Sequence, residues 1–297
     1  MENKILDVLS LDSGLYNSLP DYQTIFSKLA KYLMNGFILV INKDKYQICE
    51  IEFYLNDGIH VDPFIHGDPH QSKIGRWYFH RQNSKGYKSG SFKGVDITFG
   101  YKESNKKFLG GILLRSIMNL TNDTVIEGPC NVVNTILSKN SKKTIDEFVI
   151  CGIKDNNQFI SDETMIVDGT NLLYLKYDNN NELYDNDIYC GPRVGLTLKN
   201  YSKEREGFLM NDYRFINKLT DIKNYRSGMI LSMIESGIEA DKISTITGVS
   251  LSNINKYIEY YNDTDGIKAS QYQGIKLSVK DLCILQAVCQ QIHPLNN

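Results

Sequence analysis

The chain has 297 residues, 33 Lys and Arg against 35 Asp and Glu, a formal net charge of -2, and 41% hydrophobic and 23% charged residues. That length buries one large core, or one core with a smaller appendix, and the balance excludes a disordered chain, a coiled coil and a uniformly basic nucleic-acid coat. The longest apolar run, Phe37 to Ile41, is too short to span a bilayer, and six cysteines without CxxC pairing or a preceding signal peptide read as reduced thiols of a cytoplasmic or nuclear protein.

Ser18 to Met34 predicts an amphipathic helix, with Ser18 as cap and Ile25, Leu29 and Leu33 on one face, stopped at Asn35-Gly36. A buried strand follows at Phe37 to Ile41 and a second at Tyr46 to Leu55. Alternation in the second puts Glu50, Glu52 and Tyr54 on one face and Cys49, Ile51, Phe53 and Leu55 on the other, the polar face reading first as the exposed side of an edge strand. Further strands are expected at Gly94 to Phe99, Gly111 to Ile117, Phe148 to Gly152, Leu172 to Tyr177 and Val194 to Leu198, with a helix at Pro129 to Leu137 and Asn-rich loops at 156–163 and 178–187. The sum is an α+β domain over residues 1–217. Only helices are expected beyond it: a helix-turn-helix-like module at 221–262, in which DKISTITGVSLSNINKYI turns at Gly248, and a helical tail at 263–297. From Thr220 to Asn262 four basic residues face five acidic ones, so contact with a protein partner is as well supported there as DNA reading.

Four of the five histidines and the only tryptophan lie between Glu50 and Gly100. From His60 to Leu120 ten Lys and Arg stand against four acids in an otherwise acidic chain, and Lys73, Arg76, Arg81, Lys85, Lys88 and Lys93 alternate with Trp77, Tyr78, Phe79, Tyr87 and Phe92. Cations track phosphates and flat rings stack on unpaired bases, so this composition suits a nucleic-acid surface. The string IHVDPFIHGDPHQ holds ligand types at His60, Asp62, His66, Asp68 and His70, but its Pro63, Gly67 and Pro69 make an irregular loop that meets no recognised zinc or iron spacing, so a metal-dependent hydrolase ranks last among the readings and no cofactor is expected. Acyl-transfer elbows, phosphate loops and dinucleotide fingerprints are absent. A carboxylate beside a basic, aromatic stretch remains; it can activate water as a base or stabilise an oxocarbenium-like transition state, the two needs of N-glycosidic cleavage.

At LAKYLMNGFILVINKDKYQICEIEFYL the sequence resembles the alkyladenine (3-methylpurine) DNA glycosylases. GVDITFG, GGILLRSI, EGPCNVVNTIL, GPRVGL and DYRFI resemble later family segments in the same order, so the likeness spans about Ile25 to Ile216. It implies an antiparallel curved sheet with flanking helices, and a base-excision-repair hydrolase that flips a modified base out of double-stranded DNA. By the same likeness Glu52 activates water, Tyr54 stacks on the everted base, His66, ahead of His60 and His70 in the longer loop, packs on its other side, Phe99 wedges into the duplex and Arg115 lies near the nucleotide. The sequence departs from the family at Asp96, where a second stacking tyrosine is usual, in the rewritten YKESNKKF, and in the basic insertion from Gly67 to Lys93, and these departures make a non-catalytic DNA-binding protein of the same fold the alternative reading.

Overall fold

A computed structural model describes residues 3–11, 19–82, 86–101, 107–154, 172–224 and 226–292 of the protein. It is an α+β protein with an antiparallel sheet, divided into two compact units, Met1–Val61 with Ile65–Ile188, and Asp62–Phe64 with Tyr189–Asn297. The second unit therefore takes in residues 189–217, which the sequence placed with the first domain.

In the first unit, α1 (Asn3–Val8) leads to β1 (Ser10–Leu11) and then α2 (Leu19–Gly36). In α2, Tyr22, Phe26, Leu29, Ala30, Leu33 and Met34 recur at helical spacing and are all buried. The expected cap, Ser18, lies outside the described residues. β2 (Phe37–Ile41) is buried at every position, as a continuous apolar run requires, and pairs antiparallel with the start of β3 (Asp44–Asn56). β4 (Trp77–Phe79), β5 (Val95–Thr98), β6 (Gly100–Tyr101), β7 (Leu109–Asn119) and β8 (Val125–Glu127) follow. β3, β7, β5 and β4 lie side by side, all antiparallel, while β8 pairs with β7 and β6 with β1.

After α3 (Pro129–Lys139) the sequence predicted a strand at 148–152, and the structure forms α4 (Ile145–Lys154) instead. Its apolar Ile145, Phe148 and Val149 fit helical as well as extended spacing, and the terminus settles the matter: the Glu147 N–H donates to Thr144 Oγ1 (3.1 Å) while Glu147 Oε2 accepts from the Lys143 N–H (2.8 Å). The polar loop expected at 156–163 falls outside the described residues. β9 (Leu173–Tyr177) then pairs with β2, and the Leu173 carbonyl accepts from the Trp77 indole (3.1 Å).

Register fixes the two faces of this sheet. Phe53, Ile112, Ile97 and Trp77 stand in one cross-strand row, all buried, and face the core. Phe53 stacks on Phe26 of α2 with ring centroids 4.7 Å apart. The neighbouring row, Glu52, Leu113, Asp96 and Tyr78, faces the opposite way. A buried polar knot closes the α2 side: Tyr22 Oη donates to Asp57 Oδ2 (2.7 Å), Tyr101 Oη donates to the same oxygen, and His60 Nδ1 bonds the Leu55 carbonyl (2.8 Å).

The second unit opens with β10 (Tyr189–Gly191), followed by α5 (Lys203–Leu209) and β11 (Arg214–Ile216), which pairs antiparallel with β10. The strand expected at 194–198 does not form; Pro192 lacks an N–H for the ladder and Gly195 has φ +79. The buried Arg193 guanidinium pairs with Asp62 and lies over the rings of Phe64 (5.6 Å) and Tyr213 (5.3 Å), which ties the short 62–64 segment to this unit. α6 (Arg226–Glu235) packs so closely on β10 that a Cβ at Gly191 would meet Met229 Sδ at 2.8 Å.

α7 (Ala240–Thr247) and α8 (Leu251–Asn262) form the expected helix-turn-helix arrangement. Gly248 adopts the left-handed conformation at the turn (φ 67), Ser244 Oγ donates to the Val249 carbonyl (2.8 Å), and Ile243 and Ile254 are fully buried. α9 (Val279–Ile292) ends the described chain and packs against α8. Among the described residues no helix is long and apolar enough to cross a membrane.

Candidate active site

The row opposite the core row of the first unit holds buried carboxylates. Glu52, expected on an exposed edge, is 0% exposed, and Glu50 beside it is buried too. Burial of two carboxylates is possible because Arg115 lies between them on β7: its Nε donates to Glu50 Oε1 (2.9 Å) and its Nη1 stands 3.4 Å from Glu52 Oε2. Ser116 Oγ donates to the other Glu50 oxygen, and Tyr54 Oη donates to Glu52 Oε2 (2.9 Å). The β3–β7 ladder is regular except here, where pairing passes from Ile48–Ile117 to Glu50–Ser116 and returns at Ile51–Leu114. That double slip places the guanidinium between the acids. Burial by itself lowers the Arg115 pKa, but Glu52 and then Glu50 outweigh it and raise it above the ordinary arginine value.

Asp96, two strands from Glu52 in the same row, is buried and bonded through Oδ1 to His80 Nε2 (2.7 Å). Its Oδ2 lies 3.5 Å from Gln71 Nε2. Gln71 sits in the short turn Pro69–Ser72, capped by the Asp68 side chain, and its Oε1 accepts from the Asp68 N–H (3.3 Å), which directs the amide nitrogen toward Asp96. His66 is exposed as a residue, but its ring lies edge-on to His80 (4.2 Å between centroids) and its Nε2 is 2.9 Å from Lys88 Nζ. Ring burial first, then His80 and Lys88, lower the His66 pKa to about 4, so the ring is neutral at neutral pH. Burial also lowers the Lys88 pKa and raises that of Tyr78.

The structure thus brings Glu52, Tyr54, Arg115, Asp96 and His66 to one side of the sheet, and adds His80, which no sequence motif singled out. The signal was the alternation: His80 and Tyr78 share a face, as do Asp96 and Thr98, so one register places His80 beside Asp96. His60 and His70, the other candidates for the nucleotide-packing histidine, are structural: His60 bonds the Leu55 carbonyl and His70 Nδ1 bonds Asp68 (2.6 Å).

Two expectations are corrected. Phe99 is fully buried, edge-on to Phe26 (5.9 Å) and Phe53 (5.7 Å), and a core ring cannot insert into a duplex. Among the interleaved aromatics, Trp77, Tyr78 and Phe79 form buried β4, and Phe92 alone stands well exposed, at 76%. Of the cations, Lys73 is exposed and Arg76, Arg81, Lys88 and Lys93 are half-buried, Arg81 lying over the Tyr87 ring (4.8 Å). Lys85 lies outside the described residues. Among the described residues no group of three or more His, Cys, Asp or Glu is arranged to hold a metal ion.

No protein-family model matches the chain. Over 183 residues, 59% of this chain, it is 39% identical to the uncharacterized protein L759 of Acanthamoeba polyphaga mimivirus, of which it covers 79%.

Proposed function

The chain belongs to the same family as protein L759 of Acanthamoeba polyphaga mimivirus, and we propose that it hydrolyses the N-glycosidic bond of a modified base in nucleic acid, with double-stranded DNA as the partner. The observation that carries this reading is the shared row of Glu52 and Asp96, with Tyr54 on the same face and its hydroxyl on the Glu52 carboxylate. A carboxylate fixed by a guanidinium and a phenol lowers the energy of positive charge developing on a sugar, because its dipolar partners need no reorganisation when that charge appears. Exposed Lys73 and Phe92 supply a phosphate contact and a stacking ring on the same unit. The reading keeps the likeness to alkyladenine DNA glycosylases but not the Phe99 wedge.

The test compares wild type and Glu52→Gln on duplexes carrying hypoxanthine, ethenoadenine or methylated purines, scored as alkali-labile abasic sites. Wild-type turnover on at least one base, reduced roughly 100-fold or more by the substitution, is the expected result. Turnover on none of them, with normal DNA affinity, would favour a non-catalytic DNA-binding protein, a reading that the complete burial of Glu52 motivates. The α7–α8 pair, with its mixed charge, is proposed as a contact surface for a protein partner.

A further inference from the structure

We propose that His80, held by Asp96, is the proton-transferring residue of this site, with His80 Nδ1 accepting the proton of the attacking water; the proposal rests on the glycosidase reading. Glu52 Oε2 already accepts from Tyr54 and faces Arg115, so Glu52 acts by its charge and a separate base is required. His80 meets that need. Its Nε2 bonds Asp96 Oδ1, which leaves Nδ1 as the ring nitrogen able to accept a proton, and Nδ1 has no hydrogen bond among the described residues. The side chain keeps 11% of its surface exposed, against 3% for Asp96.

The surroundings are built for this pair. A Cβ at Gly94 would meet the His80 ring at 2.5 Å, and one at Gly111 would meet Asp96 Oδ2 at 2.6 Å, so each member occupies space that only a glycine leaves open. Glycine within a strand weakens it, so Gly111 inside β7 marks close approach, and Gly94 just before β5 does the same for the His80 ring. Gln71 holds the second Asp96 oxygen. The groups against the His80 ring are Asp96 from β5, Tyr78 from β4 and His66 from the segment before the Pro69–Ser72 turn, and His66 in turn is acted on by Asp68 and by Lys88 from the segment before β5.

In the step, the water oxygen bonds to the anomeric carbon as its proton passes to Nδ1. The carbon–nitrogen bond breaks with its electron pair going to the base nitrogen, and the imidazolium returns the proton to that nitrogen, so His80 ends neutral. Asp96 and Gln71 are positioning residues.

Wild type, His80→Ala, His80→Gln and Asp96→Asn are compared on a base that wild type releases. The expected result is a fall in kcat of roughly 100- to 10,000-fold with KM nearly constant, and at least tenfold recovery of His80→Ala, but not Glu52→Gln, on adding imidazole. Activity of either His80 variant within threefold of wild type, or a loss in folded His80→Ala that imidazole does not restore, overturns the proposal. A substrate-free arm separates it from the parent reading: diethyl pyrocarbonate should label His80 faster than buried His60, and Asp96→Asn should slow that labelling. An inert His80, or labelling indifferent to Asp96→Asn, overturns the dyad; normal labelling with no base released overturns the glycosidase reading alone.

Discussion

Arg115 stands between two buried carboxylates, and removing its charge would leave Glu50 and Glu52 facing each other in a medium that solvates neither. Breaking a buried ion network from one side costs about 3–5 kcal/mol. Arg115→Met is therefore expected to lower the unfolding free energy by that amount, read from urea titrations, and a loss under 1 kcal/mol would contradict an ion network closed off from water. The paired acids and Tyr54 were legible from strand alternation, because a period of two assigns faces directly. Their burial was not, since alternation alone cannot tell a solvated polar face from one neutralised by a distant residue, and Arg115 is 65 positions from Glu50. Phe99 shows the opposite failure: a likeness in sequence order gave it a surface role, while its neighbours Phe26 and Phe53 hold it in the core.

Strands β5 and β7 are where sequence and site meet, since Ile97 and Ile112 belong to the buried core set while Asp96 and Arg115 belong to the set on the other face. Gly111 belongs to the second set. Gly111→Ala would press a methyl group within 2.6 Å of Asp96 Oδ2 and 3.1 Å of Gln71 Nε2. Overpacking of this kind costs about 1–3 kcal/mol, and the variant should also lose His80 reactivity, read as slower diethyl pyrocarbonate labelling. Unchanged stability and labelling would mean that Asp96 shifts freely. At this scale the long periodic elements were readable: α2, β2, β3, β7 and the α7–α8 turn all formed where expected. The short apolar runs at 148–152 and 194–198 were not, because a capping Thr144 made one a helix and Pro192 with Gly195 kept the other from pairing.

Across the whole molecule, the two units differ in how they respond to pH. In the second, Asp212 accepts from Ser232 Oγ (2.6 Å), and burial, with Glu235 adding to it, pushes its pKa from 3.8 to about 7. A folded value above the unfolded one means that the native state holds the proton more tightly. Its stabilising contribution is complete below pH 4 and is lost progressively as pH rises to 7. Urea midpoints of wild type should therefore fall over that window relative to Asp212→Asn, and parallel profiles would contradict the buried protonated acid. The unit boundary itself was hidden from the sequence, since the Asp62–Arg193 pair joins residues 131 positions apart.

The central claim is that the polar sheet face of the first unit breaks an N-glycosidic bond. Mass spectrometry of free bases released from a duplex carrying one modified purine tests it most directly. Wild type is expected to release that purine, Glu52→Gln and His80→Ala to release it at least 100-fold more slowly. No free base from wild type across the modified purines, with the duplex bound and intact, would contradict the account.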